Sequence, residues 1–263
     1  MFRLFAFEWH KAVRNLAFWI IFGVMLIVGF WFSGMMFEKL PDVLSSAYGM
    51  QYALEQPISR GEYVFLRTIS DVSFTAWLSV IAGAMLIGLE FSNRTINHLI
   101  YAGNSRFSIV VVKLFYFYVS TLILSLVYPI ANCLKYSIDW ISNLTADGLH
   151  YVLRCVATRC VIDMAMMSFS LISVFVFRDV IRSLGCSLIV IVVLSQLIGL
   201  ANNINSNTLL GRLIQYFPAY AVKKIMFRDV ARSDLYYSLI YSFIMVFGTS
   251  LTCYLLFRRA DIK

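Results

Sequence analysis

Arg159 and Asp163 lie four positions apart at the edge of an apolar stretch. In a helix this spacing puts both side chains on one face, where they can form an ion pair. If the stretch lies in a membrane, each charge costs about 2.5–3.5 kcal/mol at the helix centre, and such groups often mark a path for protons or ions. A single self-neutralising pair also fits a structural role near the outer membrane surface, and we favour that interpretation.

The sequence shows none of the motifs by which proteins bind nucleotides or metals. It has no Gly-x-x-x-x-Gly-Lys-[Ser/Thr] loop for phosphate, and His10, His98 and His150 are too far apart for a metal motif. We therefore expect a non-catalytic chain that binds no cofactor. Cys133 and Cys155 flank a predicted outer loop, and a disulfide between them stays open because connectivity does not follow from sequence.

The composition indicates which elements must position these residues. Hydrophobic residues make up 60% of the 263 residues and charged residues 14%, whereas a soluble domain has about 45–50% and about 25%. A soluble enzyme is thereby excluded, and an all-α integral membrane protein is predicted. The net charge of +8 fits basic cytoplasmic loops and anionic lipid. No basic stripe interleaved with aromatic residues points to nucleic acid.

Long uncharged runs predict six transmembrane helices in one domain, residues 1–263. A bilayer core of about 30 Å takes about 20 residues of helix. The predicted spans cover about 17–37, 70–89, 113–134, 157–177, 183–203 and 235–257. Lysine and arginine are almost twice as dense in the loops on the side of the two termini, which predicts that both termini lie in the cytoplasm.

Residues 1–14 are too short and too charged to be a span. Phe5, Trp9 and Val13 recur at helical spacing, and Lys11 and Arg14 fall mostly on the other side. This pattern predicts an interfacial helix that lies along the cytoplasmic membrane surface, with its basic edge toward the lipid headgroups.

The cytoplasmic loop 90–113 carries the most local signals. Ser92 is predicted to cap a short helix, Gly103 to end it in a left-handed turn, and Ser105 to cap the next helix, which continues into span three. An exposed apolar stripe would then need protein or lipid to cover it. Its members are Ile96, Leu99, Ile100 and Gly103. Either the helix transmits a partner's motion, or it is an ordinary loop helix that lies on lipid.

The same loop resembles the ABC-2 type permease family, the membrane subunits of ATP-binding-cassette transporters. The resemblance lies in Glu90 at the end of span two, in Arg94-Thr95-Ile96 with Leu99, and in Ser105-Arg106 followed by Lys113. Arg94 stands where family members typically have glycine. The very short inner loop 178–183, the outer segment around Pro218 and the basic tail 258–263 are similar as well.

The resemblance implies an elbow helix at 1–14, a coupling helix at 90–103 and an outer-leaflet helical segment before span six. The coupling helix would dock on a separate ATPase subunit, which would bind the ATP and Mg. A second permease half, identical or related, would complete a pathway that exports a peptide, antibiotic or lipid across the bacterial cytoplasmic membrane. The implied contacts with the ATPase are Glu90, Arg94, Thr95, Ile96, Leu99, Ile100 and Arg106, with a second group at Arg178, Asp179 and Arg182.

Polar residues within spans two and five are candidates for the transport pathway, because the resemblance places these spans beside it. They are Thr75, Ser79, Ser195, Gln196 and Asn202. For any single one of them, an ordinary hydrogen bond between helices is the explanation that we favour. A gradient-driven secondary transporter or channel remains the alternative function.

Overall fold

The computed structural model describes residues 2–37, 60–70, 81–201, 217–218, 222 and 230–259. Within these residues the chain forms helices and no strands. One π-helical turn, Ala84–Gly88, precedes α4. The α-helices are α1 (Phe2–Val13), α2 (Leu16–Phe37), α3 (Arg60–Ser70), α4 (Leu89–Ser92), α5 (Thr95–Tyr101), α6 (Arg106–Tyr136), α7 (Ile138–Ser142), α8 (Ala146–Phe177), α9 (Val180–Ala201) and α10 (Arg232–Arg258).

Several of these helices have the length and composition of membrane spans. Among the described residues, α6, α8 and α10 are long and apolar enough to cross a bilayer. The pair α1 and α2, bent by 49° between Val13 and Leu16, adds a fourth candidate if it is counted as one span. A helical membrane protein is thus confirmed as the class. Residues 71–80 of the predicted second span lie outside the described residues.

Capping residues explain where the two longest helices begin. Ser105 accepts a hydrogen bond from the backbone N–H of Ser108 at 3.1 Å, so α6 starts at Arg106 as predicted. Thr145 accepts one from the N–H of Gly148, so α8 starts at Ala146. The predicted fourth span, 157–177, lies within α8, and the helix begins further upstream because Thr145 caps it.

The segment 38–68, predicted as an outer loop, contains helix α3 from Arg60 onward. Its residues Val64, Phe65, Leu66 and Ile69 are buried. The apolar side of α3 covers part of the core and packs against α6.

The helices run side by side between two ends. Arg106, Arg178 and Arg258 mark the inner end, so called because the sequence predicts that it faces the cytoplasm. One hydrophobic cluster near that end includes Ile96, Phe117, Val174 and Phe257, and a second, the outer cluster, includes Ile69, Tyr151 and Ile162. A third lies between α2, the π-helical region and α6, with Met25 and Leu124 at its centre.

Cys133 and Cys155 are both buried in the outer cluster, and no disulfide joins them in the structure. The disulfide that the sequence left open is therefore not formed here. The two residues act as small apolar side chains in the packing between α6 and α8.

Candidate functional site

Four charged side chains from three segments meet near the inner end, and we call them the ion cluster. Lys113 of α6 pairs with Glu8 of α1, with 2.6 Å between Nζ and Oε2, and with Glu90 of α4. Lys11 of α1 pairs with the other oxygen of Glu90 at 2.8 Å. Glu8, Glu90 and Lys113 are buried. Because a buried charge is tolerated only with a partner, the cluster holds α1 against α4 and α6.

The ion cluster changes two predictions from the sequence. Glu90, predicted to contact the ATPase, is only 6% exposed and is paired inside the chain. Lys11, predicted to face lipid headgroups, turns inward toward Glu90. Glu8 was missed altogether. The sequence signal for Glu8 is that an acidic residue lies in an otherwise basic amphipathic helix. If such a residue is buried, it needs a partner of opposite charge.

A cavity of about 30 Å³ adjoins the ion cluster. Its lining includes Glu8, Asn15, Glu90, Lys113 and Tyr116. The Oε1 atom of Glu8 is buried and has no hydrogen-bond partner among the described residues. Because the cavity is large enough for water and several charged side chains line it, a water molecule there can satisfy this oxygen.

The π-helical turn Ala84–Gly88 orients Glu90. A single extra residue in a helix rotates everything after it by roughly 100°, and such π turns occur often at functional sites. The turn is held tightly, since a Cβ added at Gly83 would lie 2.9 Å from both the Phe117 ring and the Ser170 hydroxyl. The turn thus directs Glu90 toward Lys113.

Helix α5 corresponds to the predicted coupling helix, but its apolar stripe faces the chain's own core. Ile96 is 1% exposed, and Leu99 and Ile100 are half-buried against the same cluster. The expectation that this stripe is exposed is therefore wrong, because the core of the bundle already covers it. The exposed face of α5 carries His98 and Tyr101 instead.

The two turns that flank α5 were predicted with mixed success. Gly103 has φ 82°, which confirms the left-handed turn after the helix. Ser92 is not the cap, because it belongs to α4. The residue before α5 is Arg94, which is left-handed with φ 56° and makes no side-chain cap. Thr95 is the first residue of the helix and is half-buried.

An aromatic triad joins α4, α8 and α10 at the inner end. The ring of Phe91 lies 5.5 Å from that of Phe175 and 6.2 Å from that of Phe257, and the latter two are 6.1 Å apart. The rings meet edge to face, a geometry worth about 0.5–1.5 kcal/mol per pair beyond burial. The triad ties the residues just before α5 to two long helices.

Arg106, another predicted ATPase contact, bonds within the chain. Its guanidinium donates to the backbone oxygens of Phe257 at 3.2 Å and Arg258 at 2.8 Å. These carbonyls end α10, where a positive charge is favourable. Arg106 therefore fastens the start of α6 to the end of α10.

The second predicted contact, the turn between α8 and α9, is also shaped by its own hydrogen bonds. Arg178 is left-handed with φ 52° and ends α8, and its N–H donates to Val174. The side chain of Asp179 accepts from the N–H of Arg182 at 3.1 Å and so caps α9. Arg182 itself is exposed.

Arg159 and Asp163 form the ion pair that their spacing predicts. Nε of Arg159 lies 2.6 Å from Oδ2 of Asp163, and both side chains are fully buried. Arg159 also donates to the backbone oxygen of Ile69, so the pair joins α8 to the end of α3 within the outer cluster. Both side chains are more deeply buried than the sequence analysis predicted for an ion pair near the outer membrane surface.

The candidate pathway residues fall outside this part of the structure. Thr75, Ser79 and Asn202 lie outside the described residues, and Ser195 and Gln196 lie in α9 beyond Val193, the last residue of that helix whose side chain the structure describes.

No protein-family model matches the chain, and no curated protein sequence matches it. The functional assignment therefore depends on the geometry of the inner end and on the resemblance of residues 90–113.

Proposed function

We propose that this chain is the membrane-spanning subunit of a transporter driven by a separate ATPase, of the ABC-2 type. The observation that carries the proposal is the attachment of α5, which is a short helix with one buried face and one exposed polar face. Phe91, directly before it, contacts α8 and α10, and Ile96 is buried in the cluster that these helices share.

This attachment suits a helix that transmits motion. A flexible loop would absorb a displacement, but close-packed interiors transmit strain. The ion cluster links α4 to α1 and α6, and Arg106 links α6 to α10. A partner that moved α5 would therefore move several of the long helices together.

The surface available to the ATPase is the polar face of α5, not its apolar stripe. Arg94, His98 and Tyr101 are exposed, Tyr101 to 74%. Tyrosine and arginine are the residue types that most often dominate protein interfaces. ATP and Mg would bind to the partner, since this chain lacks the phosphate-binding loop.

The complete transporter would contain two halves of six spans each, identical or related, with both termini in the cytoplasm. In this proposal α1 is the elbow helix, and Trp9 and Phe7, both more than half exposed, face the lipid. Spans two and five would line the pathway with Thr75, Ser79, Ser195, Gln196 and Asn202. By resemblance the cargo is a peptide, antibiotic or lipid that is exported.

Co-purification with the ATPase encoded nearest to this gene tests the proposal. The double variant His98→Ala/Tyr101→Ala should bind that ATPase at least tenfold more weakly and lose its stimulation of ATP hydrolysis, because both side chains lie on the docking face. The matched control is Tyr236→Ala, which removes a tyrosine that is 62% exposed at the start of α10. If no ATPase associates with the wild-type chain, the proposal is wrong.

The buried charges favour one second candidate, a gradient-driven transporter. The ion cluster and the Arg159–Asp163 pair are ionisable groups inside the helix bundle. Groups of this kind carry protons or ions through many membrane transporters. This candidate predicts uptake by the purified chain alone in vesicles with a pH or ion gradient, and loss of uptake in Asp163→Asn. Transport that requires an added ATPase and ATP would exclude it.

A further inference from the structure

The cavity beside the ion cluster contains a buried carboxylate oxygen that has no hydrogen-bond partner among the described residues. Glu8 is only 4% exposed, and its Oε2 atom pairs with Lys113. The residue lines the cavity, and its Oε1 atom is the one that lacks a partner. Because a buried polar atom without a hydrogen bond costs free energy, this oxygen favours a donor that enters the cavity.

The buried members of the ion cluster carry an excess of negative charge. Glu8, Glu90 and Lys113 are buried, so two carboxylates share one buried ammonium group. Lys11 supplies the fourth charge from the edge of the cluster, where its side chain is 36% exposed. Because buried charge is tolerated only beside an opposite charge, a positively charged donor suits the cavity better than a neutral one.

The cavity also offers the acceptors that a primary ammonium group needs. Such a group has three N–H donors, and the lining contributes oxygen atoms from Glu8, Asn15 and Ser120. The Asn15 oxygen already accepts from the N–H of Ala17 at 3.0 Å, but a carbonyl oxygen has a second lone pair. A volume of about 30 Å³ holds roughly two groups of the size of water. An ammonium group and its adjoining carbon therefore fit, whereas a Ca²⁺ ion with its 6–8 oxygen ligands does not.

The neighbouring aromatic side chains indicate that the cavity lies at the depth of lipid headgroups. Trp9 of α1 is 57% exposed, and its ring lies 6.3 Å from that of Tyr116, which lines the cavity. Exposed tryptophan is enriched at the interface between membrane and water. At the edge of the cavity, the Lys11 ammonium has three donors and can pair with a phosphate in addition to Glu90.

We propose that this cavity binds the primary ammonium group of an ethanolamine phospholipid, whose phosphate lies beside Lys11. The ammonium group brings positive charge to the buried carboxylates and donates to Glu8, Asn15 and Ser120. Because the headgroup is zwitterionic, it adds no net charge to the site. A choline headgroup has the same charges, but its three methyl groups replace the N–H donors. The site goes beyond the proposed function, since it requires no ATPase.

The inference can be tested on the full-length chain in nanodiscs that contain equal amounts of phosphatidylethanolamine and phosphatidylcholine. Native mass spectrometry after mild release counts the lipids that stay bound. We expect the wild type to retain phosphatidylethanolamine at least about tenfold better, because the choline headgroup has no N–H donors. The variant E8Q keeps the shape of the side chain without its charge and should retain both lipids equally. The matched control D139N removes the charge of an exposed acidic residue and should keep the wild-type preference.

Equal retention of the two lipids by the wild type would overturn the inference, as would the wild-type preference in a folded E8Q variant. A series of lipids with one, two and three N-methyl groups tests the wild type without any variant. Retention should fall with each methyl group, and retention that stays constant would count against the site. Soluble phosphoethanolamine that displaces the lipid at equal concentration would show that a free amine is the ligand, which would overturn the lipid assignment. None of these measurements involves an ATPase, so failure of the proposed function leaves their outcome unchanged.

Discussion

Lys113 is central to the ion cluster, because it contacts both buried carboxylates, those of Glu8 and Glu90. Removing one member of a buried ion pair leaves an uncompensated charge, at a cost of about 3–5 kcal/mol. The same reasoning applies to Arg159, which is the ion-pair partner of Asp163 and also reaches Ile69.

Lys113→Met should lower the free energy of unfolding by about 3–5 kcal/mol, because it leaves the carboxylates of Glu8 and Glu90 buried with one fewer cation. Denaturant unfolding of the detergent-solubilised chain, followed by tryptophan fluorescence, measures the change. Arg14→Met, which removes an exposed cation of the same region, serves as control and should change stability by less than about 0.5 kcal/mol. Equal effects of the two substitutions would contradict the ion cluster.

Arg159→Met should be as damaging as Lys113→Met, for the same physical reason. The double variant Arg159→Met/Asp163→Leu removes both charges and should recover much of the lost stability, since an apolar pair often replaces a buried ion pair without cost. The unfolding free energies of the two single variants and the double variant form a thermodynamic cycle. Strict additivity of the two single effects would show that the pair contributes nothing as a pair.

Helix α5 illustrates how an element acquires two different faces. Its apolar stripe was predicted from periodicity alone, and burial of Ile96 shows which side of the helix meets the core. Helix α2 gives a second example. Gly29 lies against α6, where an added Cβ would be 2.7 Å from Cβ of Ala131, whereas Gly23 in the same helix has open space around it.

Ile96→Asp should destabilise the whole chain, because it buries a charge without a partner in the hydrophobic cluster near the inner end. Tyr101→Asp, at an exposed position five residues further on, should leave the fold intact and weaken only the association with an ATPase that we propose. Size-exclusion profiles and thermal unfolding in detergent distinguish the two outcomes. A monodisperse Ile96→Asp protein with wild-type stability would show that the stripe is not part of the core.

Gly29→Ala should destabilise the chain by about 1–3 kcal/mol, the usual cost of overpacking, since the added methyl group pushes α2 away from α6. Gly23→Ala should instead stabilise it by about 0.4–1 kcal/mol, because alanine lowers the entropy of the unfolded chain and fits a helix without a clash. The two unfolding free energies, measured side by side, should change in opposite directions. Changes of the same sign would contradict the close approach of α2 and α6.

In the described part of the chain, the longest helices are longer than the hydrocarbon core of a bilayer is thick. Helices α6 and α8 have 31 and 32 residues, and at 1.5 Å per residue each spans about 46–48 Å. Because the hydrocarbon core is only about 30 Å thick, they must tilt or extend beyond it. Exposed apolar residues along α10, such as Phe243 and Phe247, fit contact with lipid chains.

Single cysteines at the two ends of the bundle should report the orientation of the chain. In a background without the native cysteines, Asn143→Cys should react with a membrane-impermeant maleimide on intact cells if the predicted orientation, with both termini in the cytoplasm, is correct. Gly103→Cys should react only after the membrane is permeabilised. Both positions are exposed, so access to the reagent alone decides the labelling. The opposite pattern would place the termini outside.

The features that the sequence predicted are those set by neighbours along the chain. Hydropathy is a local sum, so the helical membrane class followed from composition and uncharged runs. Ser105, Gly103 and the Arg159–Asp163 pair involve residues at most four positions apart. Such short-range hydrogen bonds and ion pairs can be recognised without knowledge of the fold.

Only the tertiary structure decided what each helix packs against. The ion cluster joins positions 8, 90 and 113, and the aromatic triad joins positions 91, 175 and 257. No periodicity specifies partners so far apart, because an amphipathic pattern shows that a face will be covered but not by which surface. For the same reason Glu90 and Ile96 were expected to meet another protein, although the chain's own helices cover them.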